Sequence, residues 1–269
     1  MQKQRPVVLI TGASSGFGKA AAELLAAEGM RVFGTSRKTK GEKMGGYELL
    51  QLDVDSDESV DQCVRRVVDS AARLDVLVNN AGQASLGAIE ETSLAESKAL
   101  FETNFFGVVR MVNAVLPTMR KQKSGFVINV ASLAAMIPMP CRAFYCSSKA
   151  ALSTYSEVLR CEVRRFGVDV AVVYPGFFRT NILEAVRLPD KPLDEYRQMR
   201  ESVLFVRSED LRSGDDPKMV AETILRIIRA KSPKFSYVVG KGKNALMVKR
   251  ILPRSAFESM LMRRFGLNA

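Results

Sequence analysis

Tyr145 and Lys149 are the residues whose types and spacing most directly offer chemistry. They lie four positions apart at the start of a predicted helix, so both side chains share one helix face, and Ser132 ends the preceding predicted strand. Lowering the pKa of free tyrosine from about 10 to about 7 requires roughly 4 kcal/mol in favour of the phenolate. An ammonium about 4 Å away contributes roughly 1 kcal/mol in water and about 4 kcal/mol at an effective dielectric constant near 20. The three residues therefore predict tyrosine acid–base chemistry in a site shielded from water.

The composition limits which other groups transfer protons. The chain has 269 residues and no histidine, which excludes histidine-based triads and zinc sites of the His-Glu-x-x-His kind. Its four cysteines form no C-x-x-C pair, so we predict neither a metal site nor a disulfide framework. Proton transfer therefore falls to Tyr, Lys, Asp, Glu or Cys.

A glycine-rich turn near the amino terminus predicts a phosphate cradle. The apolar run at 7–10 leads through Gly12, Gly16 and Gly18 into an alanine-rich helix that Gly29 closes. The glycines allow a tight turn, a close approach of the backbone to a diphosphate and close packing of helix on strand, and the anion rests on the unpaired N–H groups of the helix. A phosphate-loop NTPase is the nearest alternative, but five residues separate Gly12 from Gly18 and Ala20 follows the lysine.

The elements that position these residues alternate between strands and helices. The predicted strands are Val7–Ile10, Arg31–Gly34, Glu48–Asp53, Val76–Asn79, Phe126–Val130, Asp169–Tyr174 and Phe235–Val239. The predicted helices are Gly18–Glu28, Glu58–Ala72, Ala95–Met119, Phe144–Phe166 and Pro217–Ala230. This pattern predicts an α/β fold with a doubly wound, Rossmann-like parallel sheet, whose ligands lie at the carboxyl ends of the strands. We expect one dinucleotide-binding domain over 1–240 and a basic carboxyl-terminal extension over 241–269.

The motifs at those strand ends resemble the short-chain dehydrogenase/reductase family, in particular its hydroxysteroid, retinol and acyl-lipid carbonyl reductase branch. The matching residues are T-G-x-x-x-G-x-G at Thr11–Gly18, N-N-A-G at Asn79–Gly82, Asn104, Ser132 thirteen positions before Tyr145, Y-x-x-x-K at Tyr145–Lys149, and Pro175, Gly176 and Thr180. The resemblance implies a nicotinamide cofactor bound by Gly12, Ser14, Ser15, Gly16, Phe17, Gly18, Arg37, Asp53, Val54, Asn80, Ala81, Gly82, Tyr145, Lys149, Pro175, Gly176, Phe178 and Thr180.

The same resemblance implies the catalytic roles. Tyr145 is the acid or base at the carbinol or carbonyl oxygen, and Ser132 hydrogen-bonds that oxygen. Lys149 lowers the tyrosine pKa and holds the nicotinamide ribose. Asn104 holds a water that links Lys149 to bulk solvent. For Asn104, a satisfied amide in the core is the alternative.

Arg37 favours NADP(H) over NAD(H). Cofactor sites that prefer NAD place a carboxylate about twenty positions past the glycine turn, whereas this chain has Thr35-Ser36-Arg37 there. An arginine forms charge-assisted bonds with a 2′-phosphate; the alternative is that Arg37 merely caps an exposed turn. The resemblance implies adenine contact for Asp53 and adenosine ribose contact for Asn80, with a strand-end cap and a turn asparagine as the alternatives.

Two regions outside the motifs concern the substrate. The segment 181–214 is longer than typical loops and rich in apolar residues, so we predict a lid over a hydrophobic small-molecule substrate, with a subunit-interface helix as the alternative. Residues 234–269 carry eight lysines and arginines against one glutamate, in a chain of net charge +11. Phe257, Met260, Leu261 and Phe265 recur at helical spacing there, which predicts a basic amphipathic helix able to contact anionic lipid. A helix that closes the pocket or packs on another subunit is the alternative.

Together these features predict an NADP(H)-dependent oxidoreductase that interconverts a hydrophobic ketone and a secondary alcohol. A β-ketoacyl-thioester reductase and a non-catalytic dinucleotide-binding sensor are the alternatives.

The resemblance implies a homodimer or homotetramer that pairs through the helices at 95–119 and 144–166. No nucleic-acid recognition motif accompanies the charge. The segment Met1–Pro6 leads directly into a strand too short for a signal peptide, and no run reaches about 18 apolar residues, so we expect a cytoplasmic protein, with peripheral membrane contact through the carboxyl-terminal region as an option.

Overall fold

A central sheet of eight strands organises the molecule. The computed structural model describes residues 5–39, 41–180 and 186–267. The strands of this sheet are β1 (Val7–Ile10), β2 (Arg31–Ser36), β3 (Glu42–Met44), β4 (Tyr47–Gln51), β5 (Val76–Asn79), β7 (Gly125–Val130), β8 (Val168–Pro175) and β10 (Ser236–Val239), and they lie in the order β10-β8-β7-β5-β1-β2-β4-β3. All neighbours are parallel except β3 and β4. The strand order reverses between β1 and β5, and the fold is the predicted doubly wound, Rossmann-like single domain.

The seven predicted strands are confirmed, and the antiparallel edge strand β3 was missed. A second, two-stranded sheet pairs β6 (Ala84–Ser85) with β9 (Val186–Arg187) in parallel. Both β3 and these short strands carry polar or small residues instead of the long apolar runs that marked the others. β3 pairs with β4 in a local hairpin across the Gly45-Gly46 turn, whereas β6 and β9 are brought together from distant parts of the chain.

Helices cover both faces of the main sheet. They are α1 (Gly16–Ala27), α2 (Asp57–Ala71), α3 (Leu94–Phe101), α4 (Gly107–Gln122), α5 (Ala143–Val163), α6 (Arg197–Arg212), α7 (Lys218–Arg229), α8 (Asn244–Ile251) and α9 (Arg254–Arg264). Successive strand residues face opposite layers: Leu9 packs toward α2, α4 and α5, whereas Val8 and Ile10 pack toward α1 and α7. Because both of their faces are buried, central strands such as β1 and β5 are almost wholly apolar, as the sequence indicated.

The stretch Leu94–Gln122 is long and apolar enough to cross a membrane by length and composition alone. It consists of α3, a π-helical turn at Glu102–Phe106 and α4. Its apolar face packs on the sheet through Val112 and Val115, which have no exposed surface. This packing is that of a core helix.

The described part of the segment 181–214, residues 186–214, is largely helical, which corrects the prediction of a long loop. Residues 181–185 lie outside the described residues; the remainder forms β9, a 3₁₀ turn at Asp194–Tyr196 and α6. The buried positions of α6 are Val203, Arg207 and Leu211. They have helical spacing, but an arginine in the middle interrupts the apolar pattern by which the sequence would have shown a helix.

The carboxyl-terminal helix α9 faces the protein. Phe257 and Phe265 are buried, the former against Leu133 and Ile137 and the latter against Val203. Of the apolar stripe predicted for a lipid-facing helix, Phe257 and Phe265 are turned inward and Leu261 is half-buried, whereas Met260 is exposed. This position agrees with the alternative of a helix that closes the pocket.

Candidate active site

The turn between β1 and α1 is held by hydrogen bonds from the neighbouring strand end. The Thr11 hydroxyl accepts from the backbone N–H groups of Asn80 and Ala81 at 3.0 and 2.9 Å. The Asn80 side-chain amide donates to the carbonyl oxygens of Thr11 and Gly12 at 3.0 and 2.9 Å. The side-chain amide of Asn80 therefore stabilises the turn through these two hydrogen bonds. Its predicted contact with the adenosine ribose stays a prediction.

At two positions of this turn, steric constraints require glycine. Gly12 has φ +67°, a left-handed conformation that favours glycine. A Cβ at Gly18 would lie 2.5 Å from Asn80 Nδ2 and still closer to the Gly12 carbonyl oxygen. Gly18 thus lets α1 begin directly against the turn. A Cβ at Gly16 would meet no protein atom within 4 Å, so its backbone faces open space.

That open space is a cleft of about 820 Å³ along the switch point of the sheet. Most of the predicted cofactor residues line it, namely Gly12, Ser14, Ser15, Gly16, Phe17, Arg37, Asp53, Val54, Asn80, Ala81, Gly82 and Thr180. Bare backbone at a helix N-terminus, an elongated cleft and polar groups at both ends fit a dinucleotide with its diphosphate on α1. Gly18 lies beneath the turn and acts through its packing.

Arg37 follows β2 at the end of the cleft remote from Tyr145. It is exposed and lines the cleft beside Ser36 and Lys38. No carboxylate of residues 5–39, 41–180 and 186–267 forms an ion pair with it. Its guanidinium is therefore available to a ligand.

A second, apolar cavity of about 290 Å³ adjoins the first. Of the predicted site residues, Ser132, Tyr145, Pro175, Gly176 and Phe178 line it, and Phe17 and Thr180 line both spaces. The Phe178 ring is buried edge-on against Phe17, with centroids 5.2 Å apart. Phe178 thus supports the boundary between the two cavities.

Tyr145 and Lys149 are both buried on the first turns of α5. The Lys149 ammonium donates to the Val130 carbonyl oxygen at 3.1 Å. Burial alone would raise the pKa of Tyr145, but the charges of Lys149 and Arg142 and a hydrogen bond with Ser132 outweigh it and lower that pKa below its ordinary value. Burial lowers the pKa of Lys149, an effect that the phenolate of Tyr145 opposes. The predicted catalytic group therefore comes together, with its phenol biased toward ionisation.

Asn104 lies in the π-helical turn between α3 and α4 and has no exposed surface. Its Oδ1 accepts from the Gln83 N–H at 2.8 Å, and its Nδ2 donates to the Gln83 carbonyl at 3.0 Å and to Ser148 Oγ at 3.2 Å. Both amide hydrogens are thus used within the protein. These bonds hold the α3–α4 turn, the loop after β5 and α5 together. The predicted water held by Asn104 between Lys149 and bulk solvent stays a prediction.

The buried cysteines are poor candidates for chemistry. Burial raises the pKa of Cys63 to about 12 and that of Cys141 to about 11. Burial also raises the pKa of Cys146. These thiols stay protonated near neutral pH and are therefore weak nucleophiles.

Comparison with known proteins places this site in a family. The family model of short chain dehydrogenases matches residues 6–191, which contain the glycine turn, Ser132, Tyr145 and Lys149. The chain belongs to the short-chain dehydrogenase family. It is 39% identical over 252 residues to a 3-ketodihydrosphingosine reductase of Bacteroides thetaiotaomicron, covering 91% of this chain and 92% of that protein. It is 34% identical over 247 residues to retinol dehydrogenase 8 of Bos taurus, covering 84% and 78%.

A solved structure agrees over nearly the whole chain. A short-chain dehydrogenase from Streptomyces avermitilis superposes with a TM-score of 0.83 at 32% identity, covering 98% of this chain and 97% of that one. The family that the sequence motifs resemble is thus confirmed for this chain. The chain is an oxidoreductase whose fold binds a nicotinamide dinucleotide.

The cavity of this short-chain dehydrogenase also contains residues that the sequence analysis missed. Arg142 and Arg207 line it, and both are buried. The Arg142 guanidinium lies 4.0 Å from the centroid of the Tyr145 ring. Arg142 precedes Tyr145 by three positions, a spacing that places it on the same helix face and could have signalled it. Arg207 had no such signal because it falls within the segment predicted as a loop.

Proposed function

We propose that this protein is an NADP(H)-dependent oxidoreductase that interconverts a hydrophobic ketone and a secondary alcohol. The observation that carries the proposal is the position of Tyr145. It is buried between Ser132 and Lys149 on an apolar cavity that adjoins the dinucleotide cleft. A substrate oxygen beside the phenol would therefore lie next to the nicotinamide end of a bound cofactor.

In the proposed reduction of a ketone, Tyr145, Ser132 and Lys149 have different roles. The nicotinamide, when bound, supplies the hydride to the carbonyl carbon. Tyr145 donates its hydroxyl proton to the carbonyl oxygen, and Ser132 donates a hydrogen bond to the same oxygen, so the carbonyl becomes a carbinol. The phenolate that remains is stabilised by the Lys149 ammonium until solvent returns a proton. In oxidation, the phenolate accepts the carbinol proton.

The cavity supports a hydrophobic substrate. Its walls include Leu133, Ile137, Leu211 and Phe265, and the chain brings α6 and α9 over it. The names of two relatives, a 3-ketodihydrosphingosine reductase and a retinol dehydrogenase, describe enzymes that act on lipids. For the cofactor, the exposed Arg37 at the end of the cleft remote from Tyr145 supports NADP(H) over NAD(H).

The assembly and location are also proposals. Phe106 and Val158 are exposed apolar residues on the helices predicted to pair, which supports a homodimer or homotetramer. On α8, Met247 and Ile251 are exposed beside Lys249 and Arg250, which supports peripheral contact of a cytoplasmic protein with anionic membranes. Gel filtration tests the first; sedimentation with anionic vesicles at low and high salt tests the second.

The activity is tested with a panel of ketones and secondary alcohols, each with NADPH and NADH. We expect turnover by the wild type and a loss of about 1,000-fold in kcat for Tyr145→Phe, with NADPH binding retained, because a positioned acid contributes about 10²- to 10⁴-fold. Tyr155→Phe, on the same helix, is the matched control and should retain activity. NADPH binding without turnover in either the wild type or Tyr145→Phe would instead identify a dinucleotide-binding sensor.

A further inference from the structure

The apolar cavity holds more positive charge than its surroundings balance. Arg142 is 4% exposed and Arg207 is 6% exposed, and both line the cavity. A third arginine, Arg264, also lines it but forms an ion pair with Asp210. Within the part of the chain that the structure describes, no carboxylate forms an ion pair with Arg142 or Arg207, and neither guanidinium donates a hydrogen bond.

Such an arrangement is costly for the protein alone. A buried charge is stable when a counter-charge and hydrogen bonds replace the water that it has lost. Burial and repulsion from Arg142 lower the pKa of Arg207 to about 10, while Tyr145 and Asp210 act in the opposite direction. Asp210 is already engaged by Arg264, so it compensates the pair only in part.

We propose that Arg142 and Arg207 bind an anionic group of the substrate, and that the enzyme acts on amphiphiles that join an apolar chain to a carboxylate or a phosphate. This inference rests on the proposed function, since it assigns the substrate class of the same cavity. Two guanidinium groups, one from the start of α5 and one from α6, offer the donors that carboxylate and phosphate oxygens accept. The apolar walls formed by Leu133, Ile137 and Phe265 would take the chain.

A purely catalytic role of the arginines is the competing explanation. Both charges lower the pKa of Tyr145, and that effect is the same for every substrate. An anion site instead distinguishes substrates by their head group. The experiment therefore compares ligands that differ only in charge.

The direct test measures binding of dodecyl phosphate, dodecanoate and dodecan-1-ol to the wild-type enzyme saturated with NADPH, by calorimetry below micelle-forming concentrations. We expect at least one anionic ligand to bind about 30-fold more tightly than the alcohol, equivalent to about 2 kcal/mol. Whichever anion binds more tightly identifies the head group. Equal affinity for the three ligands would overturn the proposal, and this comparison requires no variant to fold.

Two arginines of α6 provide matched variants. Arg207→Gln should remove most of the preference for the anion, and Arg207→Lys should restore part of it. Arg212 lies on the same helix but is exposed and paired with Glu209, so Arg212→Gln should keep the preference. A preference that persists in a folded Arg207→Gln protein would contradict the assignment.

Kinetics separates this inference from the proposed function. A medium-chain keto acid and its methyl ester are compared as substrates with NADPH; we expect kcat/KM to be higher for the acid, and Arg207→Gln to reduce it more for the acid than for the ester. If the wild type converts the acid and the ester with equal kcat/KM, the anion site is refuted and the oxidoreductase activity stands. If dodecyl phosphate or dodecanoate binds tightly but no ketone or alcohol is turned over, the anion site stands and the oxidoreductase activity is refuted.

Discussion

The dinucleotide cleft and the apolar cavity are built in different ways. The cleft is formed by strand ends and backbone, with Thr11, Gly12 and Asn80 bonded to one another across β1 and β5. The cavity gathers side chains from the β7 and β8 ends, α5, α6 and α9. A backbone cradle tolerates few residue types, whereas an apolar wall accepts many of similar volume. Short sequence motifs therefore predict the residues of the cleft, but they do not predict the residues of the cavity.

The sharpest way to break the cleft alone is Gly18→Ala. The added Cβ overlaps the Gly12 carbonyl and Asn80, so α1 has to move. We expect the free energy of unfolding to fall by about 1–3 kcal/mol. NADPH affinity should fall about 100-fold, because a displacement of about 1 Å spoils a preorganised site.

Gly29→Ala is the control for that variant. Gly29 also has a positive φ, of +82°, but a Cβ there meets no atom within 4 Å and the residue does not line the cleft. It should lose stability by about 1 kcal/mol with unchanged NADPH affinity. A parallel loss of affinity in both variants would mean that the turn has no special role.

Arg37→Asp tests the adenosine end of the cleft. We expect KM for NADPH to rise about 50-fold more than KM for NADH, because a charge-assisted contact with the 2′-phosphate is replaced by repulsion. Steady-state kinetics with both cofactors measures the ratio. Arg65→Asp, at an exposed position on α2, should leave it unchanged. Equal increases for both cofactors would rule out Arg37 as the source of preference.

Phe257→Ala tests the cavity without touching the cleft. Phe257 is buried against Leu133 and Ile137 and holds α9 over the cavity. We expect KM for a hydrophobic ketone to rise about tenfold, with a loss of stability of about 2–4 kcal/mol. NADPH affinity, measured by fluorescence titration, should change less than about twofold. Met262→Ala, on the exposed side of α9, is the control; equal weakening of ketone and cofactor would show that the two spaces are not independent.

The smallest expected effect concerns the group where the two regions meet. The pKa of Tyr145 lies below its ordinary value, so the phenolate that the proposed alcohol oxidation requires forms as pH rises through that lowered pKa. Lys149→Met removes the cation that contributes most to lowering this pKa and should move the titration midpoint upward.

Ultraviolet difference titration measures this midpoint, with Tyr145→Phe as the blank for the other five tyrosines of the six in the chain. The alcohol-oxidation profile should shift in the same direction. An unchanged midpoint in Lys149→Met would remove Lys149 from the account of Tyr145 ionisation.

Local patterns determined the main sheet, the glycine turn and the shared helix face of Tyr145 and Lys149. Apolar runs and glycine positions are set by burial and backbone geometry, which act over a few neighbouring residues, and Tyr145 and Lys149 share a helix face because they are four apart. Only the tertiary structure decided that 186–214 contains the helix α6, that Phe257 and Phe265 turn inward, and that Arg207 meets Arg142 beside Tyr145. Those outcomes depend on contacts between residues far apart in the chain, since a helix with a charged residue on its buried face is stabilised by what it packs against and not by its own sequence.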